Sequence, residues 1–193
     1  KVSYTNDDSD YAAVTEHVIT VTVAQKTITP SAISYGEVTS VDKTLTLNYA
    51  GKSAYDGNLA IATDDILSSD AGSDVVEFIS EGNYSAANEE GYTLEDVKIG
   101  DAGDGGNYKL DLSGWKVVVL KKAIKVTVTA DSDTYTGSAI KLTAESKEVV
   151  GDDDVTFTVS GDNVVEQTVT NAGTYALTVT LGGEQGGNYE VAG

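Results

Sequence analysis

Clustered carboxylates are the residues in this chain best placed to do chemistry. Asp7, Asp8 and Asp10 form one group, Asp101 and Asp104 a second, Asp131 and Asp133 a third, and Asp152, Asp153 and Asp154 a fourth. Hard cations such as calcium take six to eight oxygen ligands, and Asp side chains in Gly-rich turns supply them together with backbone carbonyls. Asp131, Asp133, Asp152, Asp153 and Asp154 are therefore the calcium candidates, against the plainer alternative of solvated turns. None of the groups has the spacing of a twelve-residue EF-hand loop. Calcium aside, no cofactor is expected.

Other chemistries find fewer residues. The single histidine, His17, opens an apolar alternating run, and there is no cysteine. Thiolate catalysis and cysteine zinc sites lack their key residue, and with one histidine at the head of a strand a Ser-His-Asp triad is not expected. A carboxylate pair is unavoidable by chance among 31 acids, so it does not indicate a glycosidase. The chain is not expected to be an enzyme. Trp115, the one tryptophan, is a candidate for stacking on a sugar, with core packing as the alternative. Lys125 and Asn188 are conceivable partners in a Lys–Asn isopeptide bond, which needs the lysine buried.

The charge excludes two classes of partner. Asp and Glu number 31 against 12 basic residues, a formal net charge of −19, and every basic residue is lysine. Without arginine there is no bidentate fork for phosphate or guanine, and the overall field repels polyanions. Nucleic acid and anionic lipid are not expected as partners. No apolar run approaches the roughly 18 residues needed to cross a bilayer as a helix.

The elements that position these residues read as strands. His17–Val23, Lys43–Tyr49, Ile124–Thr129, Val155–Val159 and Tyr175–Leu181 are β-branched, period-two runs separated by Gly, Asn and Asp clusters. The expected fold class is all-β. Asn171-Ala172-Gly173-Thr174-Tyr175 leads into a strand as the sixth strand of an immunoglobulin-like sandwich does, with a tyrosine that turns its hydroxyl back to the backbone. A β-grasp arrangement is the alternative, because residues 88–97 could form a helical turn.

The pattern also repeats. Tyr135-Thr136-Gly137 follows Tyr55-Asp56-Gly57 by 80 residues, and Gly187-Asn188-Tyr189 follows Gly106-Asn107-Tyr108 by 81. Between them, Val155-Thr156-Phe157 answers Val76-Glu77-Phe78, and Gly173-Thr174-Tyr175 answers Gly91-Tyr92. Tyr55, Gly57, Tyr135, Gly137, Tyr108, Tyr175 and Tyr189 are read as structural landmarks. Two tandem repeats are expected, at 26–122 and 123–193. The first is longer at its entry, and the polar stretch 34–42 is expected to be a linker or an added hairpin.

Residues 1–25 are expected to be the closing strand of a truncated upstream repeat, and the second repeat to lack its own last strand. The chain would then be a piece of a longer protein. An edge left open in this way invites strand-swapped self-association through residues 17–24.

With Tyr55-Asp56-Gly57, Asp74-Val75-Val76-Glu77-Phe78 and Gly106-Asn107-Tyr108, the first repeat resembles the YDG domain of bacterial surface proteins. The second, with Asp133-Thr134-Tyr135-Thr136-Gly137 and Asn171-Ala172-Gly173-Thr174-Tyr175, is similar to the related MBG-type bacterial immunoglobulin-like repeat. The second repeat departs from the pattern in having Thr136 where Asp is expected. The resemblance covers roughly residues 43–193 and implies two tandem immunoglobulin-like β-sandwich modules, extracellular, on the bacterial cell surface or secreted. The function it implies is a non-catalytic stalk or scaffold segment of an adhesin-like protein, contacting neighbouring repeats of the same chain. The alternative is a ligand-binding module that recognises a host glycan or protein.

Overall fold

A computed structural model describes residues 19–57, 59–70, 77–100 and 105–193. It is all-β, with no α-helix among the described residues. Among the described residues ten strands precede Lys121. They are β1 (Lys26–Ile28), β2 (Ala32–Tyr35), β3 (Val38–Thr39), β4 (Thr44–Asn48), β5 (Ala60–Ala62), β6 (Phe78–Ser80), β7 (Asn88–Thr93), β8 (Val97–Ile99), β9 (Tyr108–Leu110) and β10 (Lys116–Leu120). Seven follow: β11 (Lys122–Ile124), β12 (Thr127–Ala130), β13 (Ile140–Glu145), β14 (Thr156–Gly161), β15 (Thr168–Val169), β16 (Leu177–Gly182) and β17 (Tyr189–Val191).

The two stretches share a plan. β1 runs parallel to β9 with Lys26 opposite Tyr108, and β11 runs parallel to β17 with Lys122 opposite Tyr189. A 3-10 turn, Gly105–Asn107 or Gly186–Asn188, delivers each of these tyrosines. Antiparallel β6–β8 sets Phe78 opposite Ile99, and β14–β16 sets Phe157 opposite Leu181. The repeated aromatic and aliphatic residues thus recur as the same cross-strand contacts, which is the unit from which sheets draw their stability.

The first stretch adds material between β1 and β5. The polar segment expected as linker or hairpin forms the β2–β3 hairpin, with Tyr35 opposite Val38. β4 then lies parallel to β10, while β7 flanks β10 antiparallel on the other side. A central strand is buried on both faces, so it needs a continuous apolar run. Val117-Val118-Val119 supplies one: Val117 and Val119 are 0% exposed and Val118 only slightly more. β7 occupies residues 88–93, so the helical turn of the β-grasp alternative does not form there.

His17 and Val18 of the expected first strand lie outside the described residues, and residues 19–25 form no strand. The run 124–129 is split: β11 ends at Ile124 and β12 starts at Thr127, because the first pairs with β17 and the second with β13.

Glycine matters at Gly57. Its φ is +65°, and a Cβ there would lie 3.1 Å from the Ser80 carbonyl oxygen. Gly137, its counterpart, has φ +76° but open space around it.

Candidate functional site

The repeated tyrosines organise the polar chemistry. The Tyr108 hydroxyl donates to Asp70 Oδ2 at 2.5 Å and accepts from the Leu67 amide at 3.2 Å. In the second stretch the Tyr189 hydroxyl donates to Asp153 Oδ2 at 2.5 Å and accepts from the Val150 amide at 3.0 Å. The turns holding the carboxylates also match, with Asp70 N bonded to the Leu67 carbonyl and Asp153 N to the Val150 carbonyl. Each stretch therefore locks the strand that follows its 3-10 turn with a tyrosine–aspartate pair. Hydrogen bonds to Tyr108 and then Ser69 hold the Asp70 carboxyl below its ordinary pKa.

At the second pair the first stretch joins in. Tyr49, immediately after β4, donates to the same Asp153 Oδ2 at 2.6 Å. Its ring meets the Tyr189 ring edge-on at 5.2 Å, and both side chains are buried. Around them Asn188 Oδ1 accepts the Ala87 amide at 2.8 Å, and Lys52 Nζ lies 3.5 Å from the Asp152 carbonyl. One apolar cluster contains Leu47 and Tyr49 from the first stretch together with Ile124 and Tyr189 from the second, with Val150 and Phe157 packed against it.

Burial, then the hydrogen bond to Asp153, pushes the Tyr189 hydroxyl up to about 12. The same two causes, in the same order, raise Tyr49. In both, the neighbouring carboxylate favours the neutral phenol. These groups act as fixed donors at neutral pH, and their arrangement ties the two stretches together.

The acidic candidates do not converge. Asp131 Oδ1 accepts the Lys141 amide at 3.0 Å, and its own amide bonds the Lys141 carbonyl at the end of the β12–β13 ladder. Asp133 Oδ1 accepts Thr134 Oγ1 at 3.0 Å. Asp153 serves the two tyrosines, and Asp154 Oδ2 receives the Glu184 amide at 3.3 Å. Asp152 contributes its carbonyl to the Lys52 contact. Among the described residues no three acids or histidines gather in a metal-holding group. Asp7, Asp8, Asp10, Asp101 and Asp104 lie outside the described residues.

Trp115 does not stand at a rim. It is 7% exposed in the main core beside Val117 and Val119, so the packing alternative is the one realised and its face cannot stack on a sugar. The turn from Leu112, closed by the Trp115 amide at 2.9 Å, folds the indole inward. Placement does not favour the isopeptide pair. Lys125 is exposed, and Asn188 already holds the Ala87 amide.

The landmark tyrosines divide. Tyr55 donates to the Asn48 carbonyl at 2.5 Å and meets the Tyr35 ring edge-on at 5.1 Å. Its counterpart Tyr135 is 61% exposed, since nothing equivalent to β4 stands beside it. Tyr175 turns its hydroxyl back to the Asn171 carbonyl while its ring packs on the second cluster, the corner geometry expected for it. Tyr92 does the same with the Ala86 carbonyl at 2.8 Å.

Sequence reasoning placed Tyr49 only at the end of a strand and read Asp153 as a metal candidate. A signal for the acids existed: Asp70 precedes Tyr108 by 38 residues and Asp153 precedes Tyr189 by 36, so the pairing repeats with the landmarks. No family model matches the chain, and no curated protein or solved structure matches it.

Proposed function

We propose that this chain is a non-catalytic stalk or scaffold segment, made of two tandem immunoglobulin-like β-modules, from a bacterial cell-surface or secreted adhesin-like protein. The observation that carries this reading is the junction between the stretches, where Tyr49 and Tyr189, both in one apolar cluster, bond the same carboxylate oxygen of Asp153. Loosely tethered binding domains need no such joint. A spacer does, because a freely hinged rod cannot hold a distal element at fixed reach. The net charge of −19 suits an extended, solvated exterior. The surface location rests on the resemblance to YDG and MBG-type repeats. The rival glycan-binding reading loses support, because its aromatic, Trp115, is a core side chain.

The test is replacement within the parent protein. Exchanging residues 26–193 for an unrelated rigid β-domain pair of the same length should preserve presentation of whatever the parent displays. A flexible Gly/Ser linker of equal contour should abolish it. Equal loss with both replacements would favour a ligand-binding module and overturn the spacer.

A further inference from the structure

One uncovered groove and one exposed apolar stripe in this chain match each other. In the first stretch β10 ends just before β11, so Trp115, Val117 and Val119 lie nine, seven and five residues before Ile124. Ile19, Val21 and Val23 stand at the same distances before Ile28, and Ile28 occupies in β1 the place that Ile124 occupies in β11. The environments are opposite. Val117 and Val119 are 0% exposed, whereas Ile19, Val21 and Val23 are 73%, 78% and 88% exposed. An alternating apolar stripe of this kind is left in water by the described residues.

The complementary surface lies in the second stretch. In the first, β10 pairs with β7 and helps enclose Tyr55, Leu59, Ile61 and Tyr92. In the second, Asn171–Tyr175, the counterpart of Asn88–Tyr92, forms no strand and is mostly exposed. This segment forms one wall of a groove of about 240 Å³, and Asp133, Tyr135, Ile140, Leu142 and Val169 are among the residues that line the rest. No described residue does for this groove what β10 does for the first stretch.

We propose that residues 19–24 of a second copy of this chain add to that groove as an antiparallel strand alongside Asn171–Tyr175. The register follows from β7 and β10. Tyr92 stands opposite Val117 and Asn88 opposite Val119, so Tyr175 would stand opposite Val21 and Asn171 opposite Val23 of the incoming copy. Backbone hydrogen bonds supply the pairing, and the alternate valines fill the groove. Donor and acceptor are different surfaces, so the contact is heterologous and can propagate from copy to copy. The donor stripe itself carries no charge, so the general repulsion between acidic copies is offset at moderate salt. The inference stands on the geometry of the two stretches and not on the spacer reading.

The experiment is a sedimentation series with the whole chain at physiological ionic strength, up to millimolar concentration, together with two variants. One, V21D/V23D, disables the donor on an exposed segment. The other, Tyr135→Glu, charges the acceptor groove at an exposed side chain. Circular dichroism first confirms that both are folded like the parent. The parent should associate with rising concentration and each variant alone should stay monomeric. A mixture of the two should regain a heterodimer of about double the monomer mass, because each retains the half the other lost. Monomeric parent at every concentration, association that survives both variants, or a mixture that stays monomeric would overturn the proposal.

Discussion

At the residue scale, one carboxylate is asked to satisfy two phenols. Asp153 Oδ2 receives both Tyr49 and Tyr189, and hydrogen bonds to a charged acceptor are worth about 1.5–3 kcal/mol each. Asp153→Ala strands two buried hydroxyls and should cost about 2–4 kcal/mol in denaturant unfolding, whereas Asp153→Asn, which keeps an acceptor, should cost about 1 kcal/mol. The pair also sets an alkaline limit. A phenol whose folded pKa lies above its unfolded value of about 10 holds its proton more tightly in the native state. Its contribution is complete below pH 10 and is lost as pH rises towards the folded value of about 12. Tyrosinate absorbance should therefore show Tyr189 ionising only as the chain begins to unfold. Asp153→Asn should move that onset to lower pH, since the carboxylate is one of the groups keeping the phenol neutral.

At the element scale, identical apolar residues meet different fates because their neighbours differ. Val119 is enclosed between β4 and β7, while Val23, at the matching position before β1, faces water. Val119→Ala should lose about 1–3 kcal/mol through transfer and cavity terms. Val23→Ala should stay within about 0.5 kcal/mol of the parent when measured on the dilute monomer. A large loss at Val23 would mean that the segment is packed in solution and would contradict its exposure. The same reasoning accounts for the landmark tyrosines. Tyr55 is packed because the inserted β2–β3 hairpin and β4 stand beside it, and Tyr135 is exposed because the second stretch has no such insert.

At the scale of the whole molecule, the joint decides how the two stretches behave. Tyr49 contributes its ring and its hydroxyl across the boundary, so Tyr49→Ala should cost about 3–5 kcal/mol and remove the coupling. Calorimetry of the parent should show a single transition. In Tyr49→Ala it should separate into two, with the second stretch melting lower, because its own cluster of Ile140, Leu142, Val159 and Val169 is small. One coincident transition in the variant would show that the coupling runs elsewhere.

The all-β class, the positions of β4, β14 and β16 and the recurrence of the Tyr landmarks were legible in the chain, because period-two β-branched runs and Gly/Asn turns are local signals. The corner at Tyr175 was legible for the same reason: its hydroxyl bonds a carbonyl four residues away. Local sequence could not say that Trp115 is a core residue, since exposure depends on which strands come to flank β10. Nor could it say that Asp153 is held by Tyr49, 104 residues distant, or that β1 and β9 meet in parallel across 82 residues. Burial and long-range pairing belong to the assembled core. The residue types set what each group can do, and the tertiary structure alone decides which of them meet.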